Sequence, residues 1–334
     1  MNVFDWHRTE FERLAAMKAQ LPHALLLRGR RGIGKFVFAR ALAQALLCES
    51  PGANSEACGK CSACVWFESG SHPDYREIQP GSDDEKEGEE SVKKATVISV
   101  DQIRALGDLL NISSHRGGPR VVVIHPAETL NVNAANALLK SLEEPPPRTY
   151  FVLVTNRPHQ LLPTIKSRCQ LLALRGPDAA TAVAWLTAQG VRDPELALAH
   201  TGDAPLLAVE LSDTEYWGAR TAFLRQLTLR ELDPLAAAEA VYDIPVPQVI
   251  SWLQKWSYDI AHYRTLGRVR YNPDYADALG VAAQQADAVA TLRFHREMVK
   301  LQPIAQHPLN ARLFIEHLLI AYRHLMQPQT LGAR

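Results

Sequence analysis

The chain has 334 residues, 47% of them hydrophobic and 22% charged, which is enough apolar material to bury cores in about two domains and marks a soluble globular protein. Lys+Arg and Asp+Glu both total 36, so there is no overall electrostatic pull toward nucleic acid; any DNA contact is expected through a local basic face or through partner proteins. The start, Met1-Asn2-Val3-Phe4-Asp5-Trp6-His7-Arg8, lacks the apolar core of a signal peptide, and no run approaches the roughly 18 apolar residues of a membrane span, so the expected location is the cytoplasm.

In chain order, Trp6 to Gln20 alternates apolar and charged residues at helical spacing and is expected as a lead-in helix. His23-Ala24-Leu25-Leu26-Leu27 reads as a short buried strand, and Phe36 to Leu47 as an Ala/Leu-rich helix. Between them lies Gly29-Arg30-Arg31-Gly32-Ile33-Gly34-Lys35-Phe36, which matches Gly-x-x-x-x-Gly-Lys-[Ser/Thr] at every position but the last. In that pattern glycines let backbone N–H groups curl round a phosphate, the Lys reaches the outer phosphates, and the hydroxyl holds Mg²⁺. A phenyl ring cannot ligate a hard cation, so Phe36 removes the metal position. Strand, loop and helix make this a P-loop by architecture, with Gly29, Gly32, Gly34 and Lys35 as phosphate-binding candidates; the alternative is a Gly-rich turn with no ligand.

Four of the five cysteines follow within 17 residues as Cys48-x9-Cys58-x2-Cys61-x2-Cys64. A reducing cytoplasm disfavours disulfides, and four thiolates close a tetrahedral Zn²⁺ site with no open position, so the reading is structural zinc stapling an excursion too small to bury its own core. Free thiols and a redox Cys-x-x-Cys are the alternatives. His72 is read as a loop histidine because the cysteines already complete the site, and Tyr75 to Gln79 as a strand. The run Asp83 to Glu90 has no apolar residue to bury and is expected as a surface loop, with an acidic patch for a basic partner as the alternative.

Ser99-Val100-Asp101-Gln102 has the form of a capping box opening a helix to about Asn111. Arg120-Val121-Val122-Val123-Ile124 is a β-branched run of the kind buried on both faces of a parallel sheet. In a P-loop ATPase such a strand ends in acidic residues that hold Mg²⁺ and activate water; here it ends in His125-Pro126-Ala127-Glu128, with the carboxylate three residues late. Asn131 to Glu144 reads as a helix stopped by Pro145-Pro146-Pro147, Tyr150 to Thr155 as a strand with Asn156 at its C-terminal end, and Gln170 to Leu174 as the last strand. The alternation argues for an α/β domain with a parallel sheet. After Gly176-Pro177 only helices are expected: short ones over Asp178 to Ala188, Pro194 to His200 and Ala204 to Leu211, then longer ones such as Val249 to Tyr263 and Leu309 to Leu325. Trp252, Trp256, Tyr258 and Tyr263 are read as core rather than as a base-stacking platform.

The stretch Asn133-Ala134-Ala135-Asn136-Ala137-Leu138-Leu139-Lys140-Ser141-Leu142-Glu143-Glu144-Pro145-Pro146 and the tripeptide Ser167-Arg168-Cys169 join the P-loop and the four-cysteine insertion. Together they resemble the clamp-loader subunits of the AAA+ superfamily that serve bacterial DNA polymerase III, over essentially the whole chain. The resemblance implies a RecA-like AAA+ domain over 1–174 with a four-cysteine zinc module at 48–64, a small helical lid domain over 175–211, and a C-terminal helical collar over 212–334 that oligomerises. Phe36, His125-Pro126, and Pro205 where active relatives carry a nucleotide-sensing arginine favour an ATPase-deficient branch over the ATP-hydrolysing gamma/tau subunits. Lys35 survives, which leaves ATP/Mg²⁺ binding open.

By the same resemblance Arg168 is an arginine finger acting in trans on a neighbour's ATP, with an ordinary salt-bridging arginine as the alternative, and Cys169 is a packed thiol. The implied partners are gamma/tau and delta subunits in a heteromeric ring, and through it the sliding β clamp and primed DNA; the implied cofactor is structural Zn²⁺. Two rivals stand beside this reading: an active ATPase of the same fold, and a zinc-containing DNA-binding module using Arg30, Arg31 and the C-terminal basic residues.

Overall fold

The computed structural model describes residues 3–52, 54–81, 96–111, 117–305 and 310–327; the acidic run Asp83 to Glu90 lies outside them. The chain divides into two compact units, Met1–Pro177 and Asp178–Arg334.

In the first unit the lead-in segment is a 3-10 turn, Asp5–His7, followed by helix α1 (Arg8–Ala16) and a second 3-10 turn, Lys18–Gln20. Then come β1 (Ala24–Arg28), α2 (Lys35–Leu47), α3 (Ser62–Glu68), β2 (Tyr75–Ile78), α4 (Val100–Asn111), β3 (Arg120–Ile124), α5 (Val132–Glu143), β4 (Thr149–Thr155), α6 (Pro163–Lys166) and β5 (Gln170–Ala173). The five strands form one parallel sheet in the order β2-β3-β4-β1-β5.

The period-two geometry of a strand explains why the central strands are apolar throughout. Leu25, Leu27, Val121, Val123, Val152 and Val154 face one core with Phe11, Phe38 and Leu42 of α1 and α2. Leu26, Val122, Ile124, Phe151 and Leu153 face the other, with Ile103 and Leu138 of α4 and α5. Burying one such side chain contributes about 1.5–3 kcal/mol, so the sheet is a rigid platform for whatever stands at its C-terminal edge.

Helix ends are set locally. Ser99 N donates to Gln102 Oε1 (2.9 Å) and Gln102 N to Ser99 Oγ (3.3 Å), the reciprocal pair expected of a capping box, and Gln102 Nε2 also ties α4 to Gln79 O (3.0 Å). Asn131 Oδ1 accepts from Ala134 N (2.8 Å) and caps α5. Among the described residues the cysteine-bearing excursion has no core of its own; α3, at its end, sends Phe67 into the core of the sheet beside Tyr75.

The second unit holds α7 (Ala179–Ala188), α8 (Pro194–His200), α9 (Pro205–Glu210), α10 (Thr214–Leu227), α11 (Pro234–Glu239), α12 (Val246–Leu266), α13 (Ala276–Gln285), α14 (Ala288–Ile304) and α15 (Ala311–Met326), with no strand among the described residues. Two hydrophobic clusters form within it, a small one around Leu186, Ala197 and Leu198 and a large one around Phe223, Trp252, Trp256 and Leu318. Trp252 and Trp256 are core residues whose indole N–H groups donate to Tyr216 OH (2.9 Å) and Tyr322 OH (3.0 Å). Tyr263 packs against the same cluster, whereas Tyr258 is 37% exposed and departs from the expected core role.

Asp259 of α12 accepts from the backbone N–H groups of Arg270 (2.8 Å), Tyr271 (3.1 Å) and Asn272 (2.9 Å), and so fixes the chain after α12. Among the described residues no helix is long and apolar enough to cross a membrane.

Candidate functional site

The C-terminal ends of β1, β3 and β4 meet at one edge of the sheet, the place where open parallel sheets bind ligands. The phosphate-type loop runs from β1 to α2 and needs its glycines for two reasons. Gly32 and Gly34 hold left-handed backbone, at φ 77° and 95°. A Cβ on Gly34 would lie 2.6 Å from the Phe4 ring, and one on Gly29 2.6 Å from Leu174 O. Phe4 stacks on Trp6 with centroids 4.5 Å apart, and Trp6 Nε1 donates to Ile33 O (3.0 Å), so the N-terminal segment braces the loop.

Lys35 does not reach outward. It is 3% exposed, and its Nζ donates to Arg30 O and to Asn156 Oδ1, both at 2.6 Å. Asn156 donates its own N–H to the Glu128 carboxylate (3.1 and 3.2 Å), so the late carboxylate is engaged by β4. Burial pulls the Lys35 ammonium down to about 8, with Glu128 acting in the opposite direction.

The two positions that depart from the P-loop ATPase pattern face each other. Phe36, in place of the hydroxyl, stacks on His125, in place of the acid, with centroids 4.7 Å apart and planes 15° from parallel. Burial and the Lys35 charge lower the His125 pKa and favour the neutral ring. Where a nucleotide-binding relative needs two oxygen ligands for Mg²⁺, this chain has an aromatic contact.

The Lys35 shift carries a pH prediction. Below about pH 8 the lysine is protonated in both folded and unfolded chains; between about 8 and 10.5 the unfolded chain holds a proton that the folded one has lost, so stability rises with pH through that window. Denaturant unfolding of wild type and Lys35→Met at pH 7.5 and 9.5 is expected to shift in favour of wild type by on the order of 2 kcal/mol at the higher pH. A pH-independent difference would show that Lys35 is not held in this buried position.

The four sequence-selected cysteines are brought together: the Sγ atoms of Cys48, Cys58, Cys61 and Cys64 all lie within 4.8 Å of one another. Cys48 and Cys61 Sγ are 3.9 Å apart, close to the about 3.8 Å edge of a tetrahedron with metal–sulfur bonds of about 2.3 Å. Backbone N–H groups point at the sulfurs, Lys60 and Cys61 at Cys58 Sγ (3.5 and 3.4 Å), Cys58 at Cys48 Sγ (3.3 Å), and Cys64 at Cys61 Sγ (3.5 Å). The donors from Lys60 and Cys61 draw the Cys58 thiol down to about 6, while burial pushes Cys64 up to about 12. The donor set fits a thiophilic metal.

Arg168 lies apart from the phosphate-type loop, after α6 and before the edge strand β5, and its side chain is 32% exposed. Its Nη2 pairs with Glu143 Oε1, and its Nη1 donates to Thr164 O (3.0 Å) and Ser167 Oγ (3.3 Å). Cys169 is buried, and burial raises its thiol to about 11. Pro205 is buried at the start of α9.

Sequence reasoning missed Phe4, Trp6 and Glu143 as parts of these arrangements. The Ser-Leu-Glu-Glu motif was the available signal for Glu143; Trp6 carried none beyond helical alternation, and Phe4, before that stretch, carried none.

A family described as "DNA polymerase III, delta subunit" matches residues 8–178. DNA polymerase III subunit delta' of Pseudomonas aeruginosa is 37% identical over 270 residues, covering 79% of this chain and 78% of that protein. The subunit delta' of Escherichia coli K12 is 30% identical over 340 residues, covering 98% and 97%. Among solved structures, a DNA polymerase III gamma subunit-related protein from Thermotoga maritima aligns with 95% of this chain and 99% of its own at a TM-score of 0.51 and 22% identity, a likeness of fold alone. The E. coli match runs through both compact units and leaves almost nothing of either protein uncovered; the chain therefore belongs to the family of DNA polymerase III delta' subunits.

Proposed function

We propose that this chain is a clamp-loader subunit that does not hydrolyse ATP itself and donates Arg168 to the ATP site of a neighbouring subunit. The observation that carries the first half is the Phe36–His125 stack, which sets a phenyl and an imidazole ring where Mg²⁺ would need two oxygen ligands. Lys35, closed on Arg30 O and Asn156, supports it by withholding the cation that the outer phosphates need.

In this reading the neighbours are gamma/tau and delta subunits in a heteromeric ring that opens a sliding β clamp and places it on primed DNA in the cytoplasm. Residues 1–174 form the RecA-like part, 175–211 a lid and 212–334 an oligomerising collar, a division supported by the separate small and large clusters of the second unit. Cys48, Cys58, Cys61 and Cys64 hold Zn²⁺, which when bound supplies a four-bond staple and no chemistry. Arg168 offers a planar, permanently charged fork matched to phosphate oxygens.

The test is ATP turnover and Mg²⁺-nucleotide binding by the isolated chain, compared with Phe36→Thr. Both are expected to be inert in hydrolysis, because restoring the hydroxyl leaves His125-Pro126 without a carboxylate. Mg²⁺-dependent hydrolysis by the wild-type chain would replace this reading with that of an active ATPase, and salt-sensitive DNA binding by the monomer would favour a DNA-binding module.

A further inference from the structure

The Leu142-Glu143-Glu144-Pro145 stretch has no task in the phosphate-type loop. Helix α5 stops at Glu143, and the prolines that follow cannot continue it. Two carboxylates on the last turn stand at the negative end of the helix dipole, where a cation is favoured instead. Arg168, 25 residues further along the chain, supplies that cation.

The pairing engages both terminal nitrogens of the guanidinium and leaves Nε without a partner among the described residues. Nη2 is taken by Glu143, and Nη1 by Thr164 O and Ser167 Oγ. An arginine that forks onto a phosphate through its terminal nitrogens gives up these partners, so the arrangement in the free chain and the engaged one compete. Thr164 and Ser167 are neutral and belong to the same turn as Arg168. Glu143 is the charged partner and comes from another element, so it is the group with which a neighbour's phosphate competes.

We propose that Glu143 is a positioning residue that parks Arg168 on its own chain, so that a neighbouring nucleotide must displace a carboxylate before the finger engages. The proposal rests on the reading of Arg168 as a finger in trans.

The experiment uses the ring reconstituted from this chain and its ATP-hydrolysing partner subunits. ATP turnover is measured across ATP concentrations, with and without clamp and primed DNA, for wild type, Glu143→Gln, Arg168→Ala and the double variant. Glutamine keeps the size and the acceptor oxygen but not the charge. Glu143→Gln is expected to raise unstimulated turnover about two- to fivefold, the scale of releasing a partly exposed ion pair, and to lower KM for ATP. The ratio of stimulated to unstimulated turnover falls accordingly, and Glu143→Gln has no effect once Arg168 is alanine.

Slower turnover in both states would make Glu143 a helper of the finger and overturn the proposal. So would unchanged turnover, or an equal effect in the Arg168→Ala background. If Arg168→Ala alone leaves the ring at wild-type rate, the underlying finger reading falls instead. Should Glu143→Gln assemble poorly, Glu143→Asp decides: it keeps the charge but withdraws the carboxylate by one methylene, and the same rise in unstimulated turnover is expected.

Discussion

Arg168→Ala is expected to slow ATP turnover of the reconstituted ring on primed DNA with clamp severalfold or more, while the ring assembles as before. A finger of this kind contributes about 10³ to 10⁵ in rate at the site it serves, through charge placed against phosphate oxygens in the transition state. The ring-wide rate falls by less if this chain serves only one of several ATP sites. Assembly is spared because the bonds Arg168 makes inside its own chain are those of a partly exposed pair, worth roughly 0.2–1 kcal/mol. Arg168→Lys separates charge from geometry: lysine restores the charge without the planar fork, and recovers little if bidentate contact is what matters. Wild-type turnover in the alanine ring, at equal assembly, would sink the assignment; the isolated chain, expected inert, is the control that keeps the measured rate a property of the neighbour.

How far the sequence reached depended on whether a feature was local. The β-branched run Val121 to Ile124 and the Ser99/Gln102 box each fix their geometry within a few residues and stand where periodicity and end signals put them, while for α5 the sequence offered Asn131 or Asn133 as the cap and the structure uses Asn131. The x2 cysteine spacings hold the sulfurs of Cys58, Cys61 and Cys64 together locally, and Cys48, at the end of α2, completes the group across a nine-residue gap. The losses at Phe36 and His125 were also legible one by one. That the two rings would stack was not, because the start of α2 and the end of β3 become neighbours only through the sheet order. Lys35 shows the same limit: the motif says that it reaches for phosphate, and only the fold sets Asn156, 121 residues away, where it captures the ammonium. Glu143 and Arg168 were conspicuous as motifs, but no spacing rule joins the end of a helix to a residue beyond the next strand.

Removing zinc is expected to unfold the 48–64 segment locally and to lower the midpoint of thermal unfolding. Metal-binding free energy at a structural site of four cysteines is folding free energy, with apparent values of about 10–16 kcal/mol for free-standing zinc-finger peptides. The value here should be smaller, because α3 remains anchored by Phe67 after the metal leaves. With about 3–5 kcal/mol lost, a unit of this size should drop by on the order of 10 °C. The thiols themselves give the physical reason. Four sulfurs within 4.8 Å of one another, ringed by N–H donors, form a site whose thiolates repel once the cation is gone, and whose protonated forms surrender the charge-assisted N–H···S bonds that hold the turn. Cys61 is the member to replace: its sulfur accepts from Cys64 N and caps α3, so Cys61→Ala should lose the metal and fray the helix together, whereas Cys61→Ser should lose the metal and keep the cap through its hydroxyl. Elemental analysis is expected to find one zinc per wild-type chain and much less in either variant, with faster hydrogen exchange confined to this segment. A chain purified from zinc-replete cells without metal, whose midpoint ignores a strong chelator, would show instead that the cysteines are packed thiols and that Phe67 alone seats the excursion.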